Sequence, residues 1–279
     1  MKVIITGANG QLGRCLQDKM PKHWQVFAFG SQELNITQFE QVKNKLSEIM
    51  PTVVINAAAY TAVDKAETDT DNAFLVNSAA VGQLAKATYT VGTRLIHIST
   101  DYVFDGSSSE PYTTLDTPNP INMYGKSKLA GELLVLAHNP RAQVIRTSWL
   151  YSEYGNNFVK TMLELADEDR DSVNVVDDQM GCPTYAGNLA LFIIELINEP
   201  IEKRLLHFSD GEVMSWYTFA QAIFAERAKN GNAVPKVNPI STSSYPMPAK
   251  RPKYSVLKYF GNFKNTCTRN SLFQVISKN

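Results

Sequence analysis

A doubly wound parallel α/β sheet, followed by a smaller substrate-binding region, is the architecture that this 279-residue sequence predicts. Three observations carry the expectation. Short Val- and Ile-rich runs alternate with longer helical stretches up to about residue 150. Those runs are nearly continuous in apolar residues, as strands are when both faces of a sheet are covered. A glycine-spaced turn, Thr6-Gly7-x-x-Gly10-x-x-Gly13, joins the first run directly to the first helical stretch.

The elements follow in order. Lys2–Thr6 reads as a strand, Gln11–Met20 as a helix and Gln25–Phe29 as a second strand. Thr37-x-x-Glu40 has the form of a capping box that opens a helix to about Met50. Pro51 punctuates, and Thr52–Asn56 is a third strand. A helix within Thr70–Val91 precedes a fourth strand, Arg94–Ile98; a helix over Asn122–His138 precedes a fifth, Gln143–Arg146. After Trp149 the rhythm loosens: helices around Asn157–Ala166, Ala186–Ile197 and Trp216–Lys229, and short strands at Val173–Val176 and Arg204–Phe208. Proline and serine are dense between Pro235 and Pro252. Residues 1–148 are therefore expected to form a dinucleotide-binding domain, and residues 149–279 mainly a substrate-binding domain with some elements packing back on the first.

Composition narrows the function. Basic and acidic residues both number 27, so no overall field draws the chain to nucleic acid or to an anionic membrane. The segment from Lys250 to Asn279 holds seven basic residues and no acid, either a solvated surface or a wall facing a phosphorylated substrate. Three scattered cysteines, Cys15, Cys182 and Cys267, argue against a disulfide framework or a zinc site and for a reducing compartment. The four histidines show no metal-ligand spacing, and His97, inside a strand pattern, reads as a core residue. No signal peptide is seen, and the longest apolar stretch, Leu189–Ile197, is interrupted by Glu195. A cytoplasmic location is the expectation, as either a monomer or a homodimer.

Two regions carry chemistry. The glycines of the first turn permit a tight bend and close backbone approach, and the helix it opens offers free N–H groups to a pyrophosphate. At the end of the second strand an acid would bind the ribose 2′-hydroxyl of NAD, but Phe29-Gly30-Ser31 has none. NADPH is thus the expected cofactor with NADH possible, Ser31 being a candidate phosphate donor and Arg14 a second. Asn56-Ala57-Ala58-Ala59-Tyr60-Thr61 ends the third strand, where small residues suit either a cofactor or packing. Ser99-Thr100-Asp101 leaves the fourth strand, and Tyr124 and Lys128 stand four apart on one helical face. The ammonium is expected to pull the phenol below its ordinary value of about 10. Thr100 would hydrogen-bond a substrate carbonyl oxygen, Tyr124 would deliver a proton, and Lys128 would orient the nicotinamide ribose. Lys126 points elsewhere. This is the pattern of a redox enzyme.

The segments that complete the picture are Thr6–Gly13, Val54–Glu67, the helix bearing Asn77, Ser99–Gly106, Tyr124–Glu132, Arg146–Tyr151, Gly155–Phe158, Asp177–Thr184 and Ala249–Leu257. Through them the chain resembles the Rossmann-like extended short-chain dehydrogenase/reductases, and within that class the dTDP-4-dehydrorhamnose reductases, over roughly residues 1–260. The resemblance implies reduction of the C4 ketone of dTDP-4-dehydro-L-rhamnose, a nucleotide sugar, to dTDP-L-rhamnose. It places catalysis on Thr100, Tyr124 and Lys128. It places cofactor contacts on Gly10, Gln11, Leu12, Leu34, Asn35, Ala59, Tyr60, Thr61, Tyr124 and Lys128; Gly7 and Gly13 of the turn, and Asn77, are expected to join them. Sugar contacts fall on Thr100, Asp101 and Trp149, whose flat ring would cover a C–H face; Arg251 would meet the diphosphate. The chain departs from the family at Gly30, where an acid is common, and at Asn35, where aspartate is usual. Its tail after Lys258 lacks the usual terminal helix bearing tryptophan and leucine. Cys15 replaces a glutamate that links dimers through a metal, so no magnesium bridge is expected. The rival readings are a sister epimerase or a non-catalytic NADP-binding regulatory subunit like the methionine adenosyltransferase beta subunit. A dehydratase is disfavoured because Tyr102 stands where its acid would be.

Overall fold

The computed structural model describes residues 1–168, 170–229, 231–259 and 268–277. Its centre is a six-stranded sheet. In chain order the first half runs β1 (Lys2–Thr6), α1 (Gln11–Lys19), β2 (Gln25–Phe29), α2 (Phe39–Ile49) and β3 (Val53–Asn56). It continues with α3 (Thr70–Phe74), a π-helical turn (Leu75–Ala79), α4 (Ala80–Thr90), β4 (Arg94–Thr100), α5 (Met123–His138) and β5 (Gln143–Thr147). The second half holds β6 (Leu150–Tyr151), α6 (Phe158–Asp167), β7 (Ser172–Val176), β8 (Met180–Gly181), β9 (Thr184–Tyr185) and α7 (Ala186–Asn198). Then come β10 (Leu205–His207), β11 (Met214–Ser215), α8 (Trp216–Ala228), β12 (Lys236–Ile240) and α9 (Thr268–Ile276).

The sheet order is β10-β5-β4-β3-β1-β2, and every pairing in it is parallel. Side chains alternate across the strands as the pleat requires. Val3, Ile5, Val53, Ile55, Ile96 and Ile145 face α1 and α7 on one side. Ile4, Val54, Leu95 and Val144 face α2, α4 and α5 on the other. Both faces are covered, so the apolar runs follow directly from the architecture. The order reverses between β1 and β3, and such a switch point opens a crevice at the carboxyl ends of the strands.

A separate apolar cluster joins α6, α8 and α9 through Val159, Leu163, Phe219, Ile223, Leu272 and Val275. Strand β10 and helix α7 return from the second half of the chain to the main sheet and its flank.

Several expectations need correction. The Thr37 capping box does not form: Asn35 Oδ1 accepts both the Thr37 N–H at 3.0 Å and its hydroxyl at 2.9 Å. With that side chain engaged, α2 starts later, at Phe39, with no side-chain cap. The Pro/Ser-rich stretch contains β12, which pairs in parallel with β7 despite Pro239. The tail does carry a terminal helix, α9, and Leu272 and Val275 are fully buried. The helix expected within Thr70–Val91 forms but is widened by one π turn around Asn77. Residues Lys264 and Cys267 of the basic tail lie outside the described residues.

Candidate active site

The crevice at the carboxyl ends of β1, β3, β4 and β5 is a cleft of about 1170 Å³. That exceeds the roughly 300–1,000 Å³ common for one small ligand, leaving room for a dinucleotide and a second molecule.

Its floor is the β1–α1 turn. Gly7 has φ +69°, and a Cβ there would lie 2.6 Å from the Ala58 nitrogen. At Gly13 a Cβ would meet the Gly7 oxygen at 2.3 Å. These glycines are required by the close passage of turn, helix and β3. Gly10 caps α1 with no side-chain hydrogen bond, and the first turn of α1 has no acid. The helix N-terminus is thus left to an anion. A turn of this shape with an open helix end fits the pyrophosphate of a dinucleotide. Gln11 ties this floor to the opposite wall, its Oε1 accepting from Ser152 Oγ and Asn157 Nδ2, both at 3.0 Å.

Ser31, Leu34, Asn35, Ala59, Tyr60 and Thr61 line the same cleft. A Cβ at Gly30 would come within 2.2 Å of the Asn9 side-chain amide nitrogen, so a larger residue there would displace the Asn9 side chain. The expectation that no acid stands beside the end of β2 needs correcting. Glu33 folds back, and its Oε2 accepts the Gly30 N–H at 2.6 Å. Asn77 is fully buried behind the cleft and does not line it. Its Oδ1 accepts the Tyr60 N–H at 2.8 Å, and its Nδ2 donates to the Tyr60 carbonyl and to Ser127 Oγ, both at 3.0 Å. The side chain thereby fastens the Tyr60 loop to α5. Arg14 lies over the Tyr154 ring, outside the lining.

At the other end Thr100, Asp101, Tyr124 and Lys128 converge. Asn122 caps α5 by accepting the Gly125 N–H at 2.7 Å, and a Cβ at Gly125 would strike the Tyr102 carbonyl at 2.1 Å. The helix is pressed against the end of β4, which brings Tyr124 beside Thr100. Lys128 is buried and its Nζ donates to the Ile98 carbonyl at 2.7 Å; Lys126 is exposed. Thr100 Oγ1 donates to Asp101 Oδ1 at 3.0 Å and accepts the Tyr102 N–H at 3.1 Å.

The electrostatics differ from the sequence expectation. Burial pushes the Tyr124 phenol up to about 12; the Thr100 hydroxyl works against this and Asp101 with it. Burial also lowers Lys128 to about 8, while Glu132 opposes. Asp101 rises to about 7, again chiefly through burial. Desolvation sets both shifts, Lys128 does not pull the phenol down, and Tyr124 is set to hold its proton. His97 is a core histidine, its Nδ1 2.9 Å from Asn56 Nδ2, and burial keeps its pKa well below the ordinary value.

Trp149 also lines the cleft, with φ +46°, a left-handed conformation rare for a bulky residue. Its indole stacks on Trp216, with ring centroids 3.5 Å apart and planes at 4°. Arg251 is not in the lining: it forks onto Asp64 through two hydrogen bonds of 2.7 Å. The neighbouring Lys250 carbonyl accepts from Asn122 Nδ2 at 2.8 Å, so this segment straps the start of α5. The basic residue at 251 is thus neutralised within the protein. Sequence reasoning missed Trp216, Gly155, Asn156 and Asn157 as lining residues. The Gly155–Phe158 segment gave a signal for the last three; Trp216 had none beyond its place at a helix start.

A glycine turn at a helix N-terminus and a Tyr-x-x-x-Lys pair beside a β4 hydroxyl together define an extended short-chain dehydrogenase/reductase. The comparisons with known proteins are more particular. The chain belongs to the family described as RmlD substrate binding domain, whose model matches residues 1–270. The dTDP-4-dehydrorhamnose reductase of Aggregatibacter actinomycetemcomitans is 44% identical over 265 residues, covering 92% of this chain and 90% of that protein. The crystal structure of a dTDP-4-dehydrorhamnose reductase from Clostridium acetobutylicum matches with a TM-score of 0.94 and 43% identity, covering 100% of this chain and 99% of that one. A dTDP-4-dehydrorhamnose reductase from Bacillus anthracis in complex with NADP gives 0.94 at 39% identity, with the same coverages.

Proposed function

We propose that this protein is an NADPH-dependent dTDP-4-dehydrorhamnose reductase, adding hydrogen across the C4 ketone of a thymidine-diphosphate 4-keto-6-deoxyhexose. The observation that carries the reading is the convergence of Thr100, Tyr124 and Lys128 on the cleft floored by the Gly7–Gly13 turn. Relatives of that name at about two-fifths identity over nearly the whole chain support it.

The bound dinucleotide supplies a hydride. The α1 N-terminus and the Gly10-Gln11-Leu12-Gly13 turn would hold its pyrophosphate, and Ser31, Leu34, Asn35 and Ala59–Thr61 its adenosine half. Lys128, charged below pH about 8, would bind the nicotinamide ribose. Thr100 Oγ1, now donating to Asp101, would turn its hydrogen to the C4 oxygen as negative charge grows there. Tyr124, whose phenol stays protonated to about 12, then gives that oxygen its proton, and the carbonyl becomes a secondary alcohol. Tyr124 is reprotonated from solvent.

Residues 1–148 would thus serve mainly the dinucleotide and residues 149–279 mainly the sugar, while Asp101 from the first part and Trp149 from the second would meet the sugar's hydroxyls. Arg251 would reach a diphosphate only by exchanging Asp64 for it. A cytoplasmic site of action accords with a nucleotide-sugar substrate, and no helix among the described residues is long and apolar enough to cross a membrane. The test is loss of NADPH absorbance on adding the keto-sugar nucleotide, with the product identified by mass. Tyr124→Phe should lower turnover by roughly 10²- to 10⁴-fold while NADPH affinity holds. No NADPH consumption by the native protein, or a Tyr124→Phe variant within a few-fold of it, defeats the reading.

A further inference from the structure

A sugar cannot lie on the face of Trp149 as the sequence suggested, because both faces of that indole are already covered. A Cβ built on Gly181 would fall 2.4 Å from Trp149 Cε2 and 2.7 Å from both Cζ2 and Nε1. Cζ2 and Nε1 are the two atoms flanking Cε2 on the outer side of the ring. An approach in the ring plane would come nearest Nε1, so these distances place Gly181 above Cε2, on the face. Trp216 lies parallel to the indole, at 3.5 Å between centroids and 4° between planes. With so little offset the two groups cannot share a side. Trp216 therefore covers the opposite face, and the indole meets the cleft edge-on.

We infer that Trp216 is a positioning residue which, with the Cβ-free backbone of Gly181, clamps Trp149 edge-on to the sugar end of the cleft and so sets sugar recognition. This rests on the reductase reading above. The two halves of the clamp are built together. Strands β8 and β11 pair antiparallel, Met214 opposite Gly181 and Ser215 opposite Met180, so Trp216 follows directly after the strand paired with the one that carries Gly181. Ser215 and Thr218 close a capping box that fixes the start of α8. Ser215 Oγ donates to Asp177 Oδ1 at 2.5 Å. Trp216 Nε1 donates to Gln179 Oε1 at 3.2 Å, and Gln179 Nε2 donates to Thr242 Oγ1 at 2.9 Å. The polar edge of Trp216 is thereby turned to Gln179, and Phe158 packs tilted against the ring with centroids 4.7 Å apart. The clamp also accounts for the φ of +46° at Trp149, since such a backbone persists where its surroundings over-determine it.

The test compares Trp216→Ala, Trp216→Phe and Gly181→Ala in the full-length protein. Trp216→Ala should lower kcat/KM for the keto-sugar nucleotide on the order of ten- to a hundredfold, mostly through KM. The Kd for NADPH, read from nucleotide fluorescence, should stay within about twofold of the native value. Trp216→Phe keeps a flat ring on the indole and should recover most of the loss. Gly181→Ala pushes from the other face. It should reproduce the rise in sugar KM and also change the near-ultraviolet circular dichroism of the stacked indoles. A folded Trp216→Ala protein with unchanged sugar KM overturns the clamp, as does an equal loss of NADPH affinity. If Trp216→Ala fails to fold, Gly181→Ala decides: an altered indole signal with native sugar KM is fatal to the inference. Failure of the reductase reading shows separately, as a native protein that consumes no NADPH with this sugar.

Discussion

Lys128→Met is expected to make the protein no less stable while nearly abolishing its activity. Lys128 is buried, and its pKa is lowered from 10.5 to about 8 by desolvation. Holding the ammonium charged at neutral pH therefore disfavours the folded state by roughly 3 kcal/mol. Against that stands the hydrogen bond from Nζ to the Ile98 carbonyl at 2.7 Å, whose loss leaves an acceptor unpaired for about 1–3 kcal/mol. Methionine fills similar space, so the balance lies between neutral and a gain of roughly 2 kcal/mol. The pH dependence gives a sharper test. Between about pH 8 and 10.5 the unfolded chain keeps the lysine proton and the folded chain sheds it, so native stability rises across this window through Lys128. Thermal melts of native and variant protein without dinucleotide, at pH 7 and at pH 10, measure it. The variant's advantage should shrink as pH rises. A variant that melts several degrees lower at pH 7, with a deficit independent of pH, refutes the account of Lys128 as a charge held at a cost.

Two further outcomes follow from groups outside the Tyr–Lys pair. Glu33, held on the Gly30 N–H beside the end of β2, should repel a 2′-phosphate; Glu33→Gln is expected to raise the NADPH-to-NADH ratio of kcat/KM by a few-fold, with NADP and NAD affinities moving the same way. An unchanged ratio removes Glu33 from coenzyme selection. Burial raises Asp210 to about 7, although it accepts the Tyr185 N–H at 2.9 Å and the Asn188 amide at 3.0 Å. Its folded pKa lies above its unfolded value, so stability present below about pH 4 is lost as pH rises through about 7. Asp210→Asn should therefore gain on the native protein in melting temperature from pH 4 to pH 8, and parallel curves would show that Asp210 does not titrate there.

What the sequence disclosed was local chemistry. The Gly7–Gly13 turn, the four-residue spacing of Tyr124 and Lys128, and the continuous apolar runs of β1 and β3–β5 each depend on neighbours in the chain, and each stands where expected. The misses have a common origin in distance or competition. Glu33 reaches Gly30 only because the chain turns back after β2. The Thr37 cap was lost to a nearer acceptor, Asn35. Trp216 meets Trp149 through the β8–β11 ribbon, two strands too short to give a period. Arg251 was read as a free cation because Asp64, its partner, lies far away in sequence. The sign of the Tyr124 shift was misjudged for a different reason: pair spacing reports attraction, whereas burial depends on the whole fold.

These misses converge on the way the cleft is held. Three of its lining residues are disfavoured where they stand: Lys128 is charged in a buried site, Asp101 is a buried carboxyl, and Trp149 has a left-handed backbone. Such residues persist only where surrounding structure leaves them no alternative. Trp149 is clamped by Trp216 within the cleft, and the remaining fastening comes from side chains that do not line it. Asn77 joins the Tyr60 loop to α5, and Arg251 with Asp64 straps the segment that holds the cap of α5. Glu132 and Arg146 form a buried ion pair one turn beyond Lys128, with Oε2 and Nη2 2.7 Å apart. A carboxylate there also favours the lysine charge, opposing burial. The fastening groups are largely polar and buried because hydrogen bonds are directional, and a connected set of them in a low-dielectric interior holds its members in one geometry. Rigidity at the reacting end is thus built from the second layer outward, and substitutions at Asn77 or Glu132 should disturb Tyr124 and Lys128 without touching substrate.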